Sequence, residues 1–114
     1  MPSSFCYSEL HTRDFPRAKS FYSELFGWKF DDLPIVGMQY ATLQGVPGGA
    51  MADDVPPQWL TYVSVDDVAQ SAERAQKLGA KLVTGKTEVK GMGHFAVIDD
   101  PTGARVALWE PLKK

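Results

Sequence analysis

LHTRDFPRAKSFYSELFGW, residues 10–28, contains the start of a helix, its apolar face and its end in one stretch. Asp14 can accept hydrogen bonds from the first free N–H groups of a helix, and Pro16 follows in the first turn, where its missing N–H costs nothing. Gly27 can adopt the positive φ that ends a helix. The apolar residues recur with the 3.6-residue helical period, at Phe15, Ala18, Phe21, Tyr22, Leu25 and Phe26. Of these, Phe21, Tyr22 and Phe26 are expected in the core.

The same order of signals returns about 50 residues later, which indicates an internal repeat. Val65 ends an apolar strand, Asp66 and Asp67 supply an acidic cap, and Gly79 ends the second helix. The apolar face of that helix consists of Val68, Ala72, Ala75 and Leu78. The chain is therefore predicted to use one structural unit twice.

Alternating apolar segments around the two helices predict four strands in each unit. They are residues 5–11, 28–30, 39–43 and 48–51 in the first unit, and 59–65, 80–84, 95–98 and 105–109 in the second. The order β-α-β-β-β in each unit predicts an α+β fold with one helix on the outer face of each module. Because one helix cannot cover both faces of a sheet, we expect a mixed sheet that curves into a funnel. A single domain is expected, with module 1 at residues 5–52, a linker at 53–58 and module 2 at 59–110.

Composition narrows the classes of partner and compartment. The net charge is −2 and the calculated pI is about 5.6, so the chain lacks the basic surface that nucleic-acid binding requires. No apolar run approaches the roughly 20 residues of a membrane span. The first ten residues do not resemble a secretion signal, and the lone Cys6 rules out an internal disulfide. A cytoplasmic location is expected.

The motifs of both units resemble the vicinal oxygen chelate superfamily, which includes glyoxalase I, bleomycin-resistance proteins and extradiol dioxygenases. In the first unit the resemblance rests on Asp14, Ala18, Phe21, Tyr22, Phe26, Gly27 and Trp28. In the second it rests on the segments Val65-Asp66-Asp67, Leu78-Gly79-Ala80 and Asp100-Pro101-Thr102-Gly103-Ala104. The pattern of Glu9, Leu10, Thr12 and Asp14 is similar to a glyoxalase-like branch of that superfamily.

The resemblance also implies where metal ligands would lie, on the first and last strands of each unit. Those positions are Tyr7, Leu60, Ala107 and the stretch from Gly48 to Met51. Divalent metals in such sites prefer His, Glu, Gln or Asp. Leu60 and Ala107 cannot act as metal ligands, so neither a bound metal nor another cofactor is expected.

Glu9 is the candidate catalytic or anchoring residue, on the same strand face as Tyr7 and His11. It could bind a ligand or act as a general base, or it could be a structural carboxylate paired with Arg105 or a backbone N–H. His11, at the strand end, is expected to be solvated or to cap the turn. His94 follows a glycine-rich turn and could overhang the mouth of the funnel.

Aromatic side chains complete the candidate site. The predicted ligand-binding set is Tyr7, Glu9, Trp59, Tyr62, His94 and Trp109. Its rings could stack on a flat or apolar molecule, or they could simply fill the funnel or form a dimer seam.

The sequence and this resemblance therefore predict a small-molecule binding protein of the glyoxalase/bleomycin-resistance type, without the usual metal ligands. It is expected to bind an apolar or aromatic ligand in an aromatic-lined cavity. The alternative is a glyoxalase-like lyase, isomerase or dioxygenase that uses Glu9 or an atypical metal site. A homodimer is also expected, through exposed strand edges and the segment Trp109-Glu110-Pro111.

Overall fold

The computed structural model describes residues 3–35 and 37–112. In chain order the elements are β1 (Phe5–Thr12), α1 (Phe15–Phe26), β2 (Phe30–Asp32), β3 (Tyr40–Leu43), β4 (Gly48–Ala52), β5 (Gln58–Ser64), α2 (Val68–Lys77), β6 (Lys81–Val89), β7 (Gly93–Asp99) and β8 (Arg105–Pro111). The α+β class and the repeated β-α-β-β-β order are confirmed. Contacts divide the chain into a first unit, Tyr7–Leu60, and a second unit formed by residues 61–112 with residues 3–6.

The two units share one strand order. In the first unit the strands lie in the order β2-β3-β4-β1, and in the second they lie in the order β5-β8-β7-β6. Each unit pairs its first and last strands in parallel and its remaining neighbours antiparallel. The repeat seen in the sequence is therefore a repeat of sheet topology. The second unit also includes the start of the chain, where the Ser64 N–H donates to the Ser4 carbonyl at 2.9 Å.

Both helices begin and end where the sequence predicts. Asp14 Oδ1 accepts from the Arg17 N–H at 3.2 Å, and Asp67 Oδ1 accepts from the Gln70 N–H at 3.0 Å. Gly27 ends α1 at a φ of 73°, and Gly79 follows α2 at a φ of 102°. The described residues contain no helix with the length and apolarity needed to cross a membrane.

Each helix packs on the strands of its own unit through a narrow row of side chains. In the first unit the buried cluster is Leu10, Phe15, Ala41 and Ala50, with Ala18 and Tyr22 packed against it. In the second it is Val68, Ala72, Ala96, Ile98 and Leu108. Small residues on the strands let each helix approach its sheet closely.

The prediction that Phe21 and Phe26 lie in the core is wrong. Phe21 is 55% exposed and Phe26 is 56% exposed, and the neighbouring Leu25 is 57% exposed. A helix that rests on a single sheet buries only one row of its apolar stripe. In α1 that row is Phe15, Ala18 and Tyr22, so the residues on either side of it remain in contact with solvent.

Candidate functional site

A cluster of hydrogen-bonded polar side chains surrounds Glu9 in the first unit. Glu9 is only 6% exposed. Its Oε2 accepts from the Tyr40 hydroxyl at 2.6 Å, and its Oε1 lies 2.8 Å from His11 Nε2. A buried carboxylate is tolerated when donors of this kind replace its water. Both carboxylate oxygens of Glu9 are thus held in place.

The cluster extends in both directions from Glu9. The Tyr7 and Tyr40 hydroxyls lie 2.8 Å apart, and since Tyr40 gives its one proton to Glu9, Tyr7 is the donor of this pair. On the other side, His11 Nδ1 lies 3.0 Å from Asp53 Oδ2. We call the five residues Tyr7, Glu9, His11, Tyr40 and Asp53 the polar cluster.

Proton affinities in the polar cluster follow from these contacts. The pKa of His11 is raised, chiefly by its hydrogen bond to Glu9 and also by that to Asp53, against an opposing effect of burial. Burial raises the pKa of Tyr40 far above its ordinary range, and the Glu9 carboxylate raises it further. Burial likewise raises the pKa of Tyr7. Both phenols therefore remain hydrogen-bond donors, whereas His11 is the group that favours a positive charge.

Strand register brings the polar cluster together across β4. Glu9 of β1 pairs with Gly49, and Met51 pairs with both His11 and Tyr40. A Cβ at Gly49 would overlap the Tyr7 hydroxyl and lie 3.3 Å from the Tyr40 hydroxyl. The missing side chain at Gly49 therefore leaves the space in which the two phenols meet.

Sequence reasoning missed two members of the polar cluster. Tyr40 was recognised only as part of an alternating strand, and Asp53 was placed in the linker. The available signal was the glycine pair in β4, since a glycine inside a strand marks a close approach of other groups. His11, which the sequence predicts to be solvated or to cap the turn, has a side chain that is 12% exposed and that bridges two carboxylates. Arg105, a suggested partner of Glu9, instead pairs with Asp99 at 2.8 Å.

Trp59 belongs to a second cluster in the first unit, made of aromatic rings. Its Nε1 donates to the Tyr22 hydroxyl at 3.2 Å, and the two rings meet edge to face at 5.3 Å between centroids. Tyr22 also stacks on Trp28 at 5.8 Å, and Phe26 lies 4.9 Å from Trp28. This mutual contact fixes the orientation of the rings.

These rings form one wall of a groove of about 440 Å³, which we call the aromatic groove. It is lined by Ser8, Tyr22, Phe26, Trp28, Leu43, Val46, Pro47, Gly48 and Trp59. Ser8 lies in the groove, whereas its neighbours Tyr7 and Glu9 do not, because successive side chains of a strand point to opposite faces. The structure therefore does not bring Trp59 and Glu9 into one site.

Three predicted site residues lie in the second unit. Tyr62 contacts Trp109 and Phe95 edge to face, both at 6.5 Å between centroids. Phe95 was missed, although it pairs with Trp109 in the β7–β8 register. His94 Nδ1 lies 3.8 Å from Glu110 Oε2, and Glu110 Oε1 accepts from the Val68 N–H at the start of α2.

The positions that the resemblance implies for metal ligands carry the following side chains. Leu60 and Ala107 are buried and carry no donor atom, and Gly49 has no side chain. The Tyr7 hydroxyl is hydrogen-bonded to the Tyr40 hydroxyl. Across residues 3–35 and 37–112, no group of three or more His, Cys, Asp or Glu side chains is arranged to hold a metal ion.

Known proteins share both sequence and fold with this chain. The model of a family described as "Glyoxalase-like domain" matches residues 7–109. The protein named "Putative glyoxylase CFP32" of Mycobacterium tuberculosis is 36% identical over 113 residues, which cover 90% of this chain and 43% of that protein. The chain thus spans less than half the length of this relative.

Solved structures agree in fold at low sequence identity. Methylmalonyl-CoA epimerase from Mycobacterium tuberculosis superposes with a TM-score of 0.67 at 18% identity, over 96% of this chain and 88% of that one. A variant of homoprotocatechuate 2,3-dioxygenase from B. fuscum superposes with a TM-score of 0.68 at 19% identity, over 97% of this chain and 33% of that one. The chain belongs to the glyoxalase-like domain family, within the vicinal oxygen chelate superfamily.

Proposed function

We propose that this chain binds a small, flat, apolar molecule in the aromatic groove, without using a bound metal. The observation that supports the proposal is the groove itself, a space of about 440 Å³ lined by Tyr22, Phe26, Trp28 and Trp59. That volume falls within the range of small-molecule sites, which are mostly apolar with a few polar groups. The resemblance to bleomycin-resistance proteins suggests that such binding sequesters the ligand.

The lining of the groove specifies the class of ligand. Its side chains include no charged group among the described residues, and their polar groups are the hydroxyls of Ser8 and Tyr22 and the indole N–H groups of Trp28 and Trp59. The Tyr22 hydroxyl already accepts a hydrogen bond from Trp59. An ionic ligand would lose its hydration there without a compensating partner. We therefore expect a neutral aromatic molecule rather than a charged one.

The substitution Trp59→Ala tests this proposal. Trp28 and Trp59 both lie in the groove, so quenching of tryptophan fluorescence by 2-naphthol reports binding, with 2-naphthoate as the charged comparison. We expect 2-naphthol to bind the native chain more tightly than 2-naphthoate. Trp59→Ala should weaken 2-naphthol binding about tenfold or more, because stacking on one large ring contributes about 1–3 kcal/mol.

The matched control is Phe5→Ala, which removes another exposed ring that does not line the groove. Phe5→Ala should bind 2-naphthol as the native chain does. Equal affinity in Trp59→Ala, or a preference for 2-naphthoate, would contradict the proposed groove ligand. Isothermal calorimetry provides a second measurement that does not depend on the remaining tryptophans.

A second candidate function is proton transfer at the polar cluster, and the paired side chains of Glu9 and His11 favour it. A carboxylate within hydrogen-bond reach of an imidazole is a common acid–base arrangement. In this proposal the Glu9 carboxylate takes a proton from a carbon next to a carbonyl, and the electron pair moves to the carbonyl oxygen. The relative named as a glyoxylase supports an enzymatic function for the family fold.

Deuterium exchange tests the second candidate. Small 2-oxo acids and thioesters in D₂O are followed by NMR for loss of the proton next to the carbonyl. We expect the native chain to accelerate exchange and Glu9→Gln to lose about 100-fold or more of that rate. Glu88→Gln, a change at an exposed position of β6, should retain it. A Glu9→Gln variant as active as the native chain would exclude Glu9 as the base.

A further inference from the structure

The outward face of α1 carries an exposed surface that neither the groove nor the polar cluster uses. Arg17, Phe21, Glu24 and Leu25 follow the spacing i, i+4, i+7 and i+8, which places them on one side of the helix. All four are exposed, and Phe21 and Leu25 each leave more than half of their surface in solvent. We call these four residues the outer α1 face. It differs from the row that carries Tyr22 and Phe26 toward the groove.

The two charges of the outer α1 face lie at the helix ends that the helix dipole disfavours. Arg17 lies in the first turn and Glu24 in the last, whereas the helix dipole favours acidic residues at the start and basic residues at the end. Neither side chain forms a salt bridge within the part of the chain that the structure describes. Phe21 lies between the two charges. Intrachain contacts therefore give no reason for this order.

The order becomes favourable when the surface meets its own copy. If two α1 helices pack antiparallel about a two-fold axis near Phe21, Arg17 of each copy faces Glu24 of the other. Each charge then also lies beside the helix end that favours it. Such an isologous contact makes every pair twice, because residue i meets residue j in both directions. The side chains of Phe21 and Leu25 would be buried from solvent at the centre of this contact.

We propose that two copies of this chain associate through the outer α1 face, with the two α1 helices antiparallel. A helix surface of this kind is convex, which makes it unsuitable for a small ligand but suitable for another helix. The self-complementary charge order identifies that second helix as another α1. This inference does not depend on the proposed ligand, because the aromatic groove lies on the other row of the helix.

Charge reversal tests the proposal, with sedimentation equilibrium of the full chain over a range of concentrations as the measurement. The native chain should show a monomer–dimer equilibrium. Arg17→Glu alone and Glu24→Arg alone should each raise the dimer dissociation constant about tenfold or more, because each places like charges opposite one another. The double variant should dimerise more tightly than either single variant, since it exchanges the two charges and leaves the antiparallel pairing intact. Raising the salt concentration should weaken the native dimer.

A second pair of variants separates this interface from other surfaces. Phe21→Glu should give monomer at concentrations where the native chain is a dimer, whereas Val83→Glu, on an exposed part of β6, should leave the dimer unchanged. Both positions are exposed, and circular dichroism checks that each variant folds. A native chain that remains monomeric, a dimer that Val83→Glu disrupts, or a double variant no tighter than the single ones would each overturn the proposal.

Discussion

At the scale of single residues, the chemistry of the first unit depends on how Glu9 is solvated. With 6% of its surface exposed, its carboxylate relies on Tyr40 and His11 in place of water. Removing one donor from a buried charge lowers the free energy of unfolding, because the remaining partner cannot supply the lost hydrogen bond. Asp53, in turn, orients His11 from its far nitrogen. Each residue of the polar cluster is therefore constrained by the next.

His11 should make the stability of the chain depend on pH in a defined direction. Its pKa is raised above the ordinary value of 6.5 in the folded state. The stabilisation linked to its proton is therefore fully present below pH 6.5 and is lost as the pH rises through the folded pKa. In urea unfolding between about pH 6 and pH 9, the difference in unfolding free energy between the native chain and His11→Gln should shrink as the pH rises. A difference that grows with pH would contradict the raised pKa.

At the scale of elements, β4 is the strand on which the polar cluster depends. Gly48 and Gly49 weaken it as a strand but allow close approaches on both sides. A Cβ at Gly48 would lie 2.7 Å from the Ser8 carbonyl oxygen, and one at Gly49 would lie 2.6 Å from that of Ala41. Backbone atoms cannot move aside as a flexible side chain can. Gly48 and Gly49 therefore cannot be replaced by a larger residue without moving the neighbouring strands.

Gly49→Ala should destabilise the chain by about 1–3 kcal/mol, the usual range for an added group in a packed interior. Gly85→Ala in β6 is the matched control, because a Cβ there has no heavy atom within 4 Å. It should change the unfolding free energy by no more than about 0.5 kcal/mol. Urea unfolding of the two variants measures both effects. Equal stability of Gly49→Ala and Gly85→Ala would show that the space above Gly49 is not needed.

At the scale of the whole molecule, the two units have the same strand topology but carry different side-chain clusters. The first unit places a polar cluster on one side of β1 and an aromatic groove on the other. The second unit holds the rings of Tyr62, Phe95 and Trp109 and uses Glu110 to cap α2. A repeated sheet order thus sets where side chains can lie, while the residues at each position set the chemistry.

The sequence alone was sufficient to predict the helices, their caps, the repeated module and the family. The helices, their caps and the repeated module depend on local periodicity and on caps within a few residues of each helix end, so they can be read along the chain. The family was identified by the resemblance of its motifs. Only the tertiary structure joined Tyr40 and Asp53 to Glu9 and assigned Trp59 to the aromatic groove. Those contacts depend on strand register and on which row of a helix meets the sheet, and both are decided by packing between residues that lie far apart in sequence.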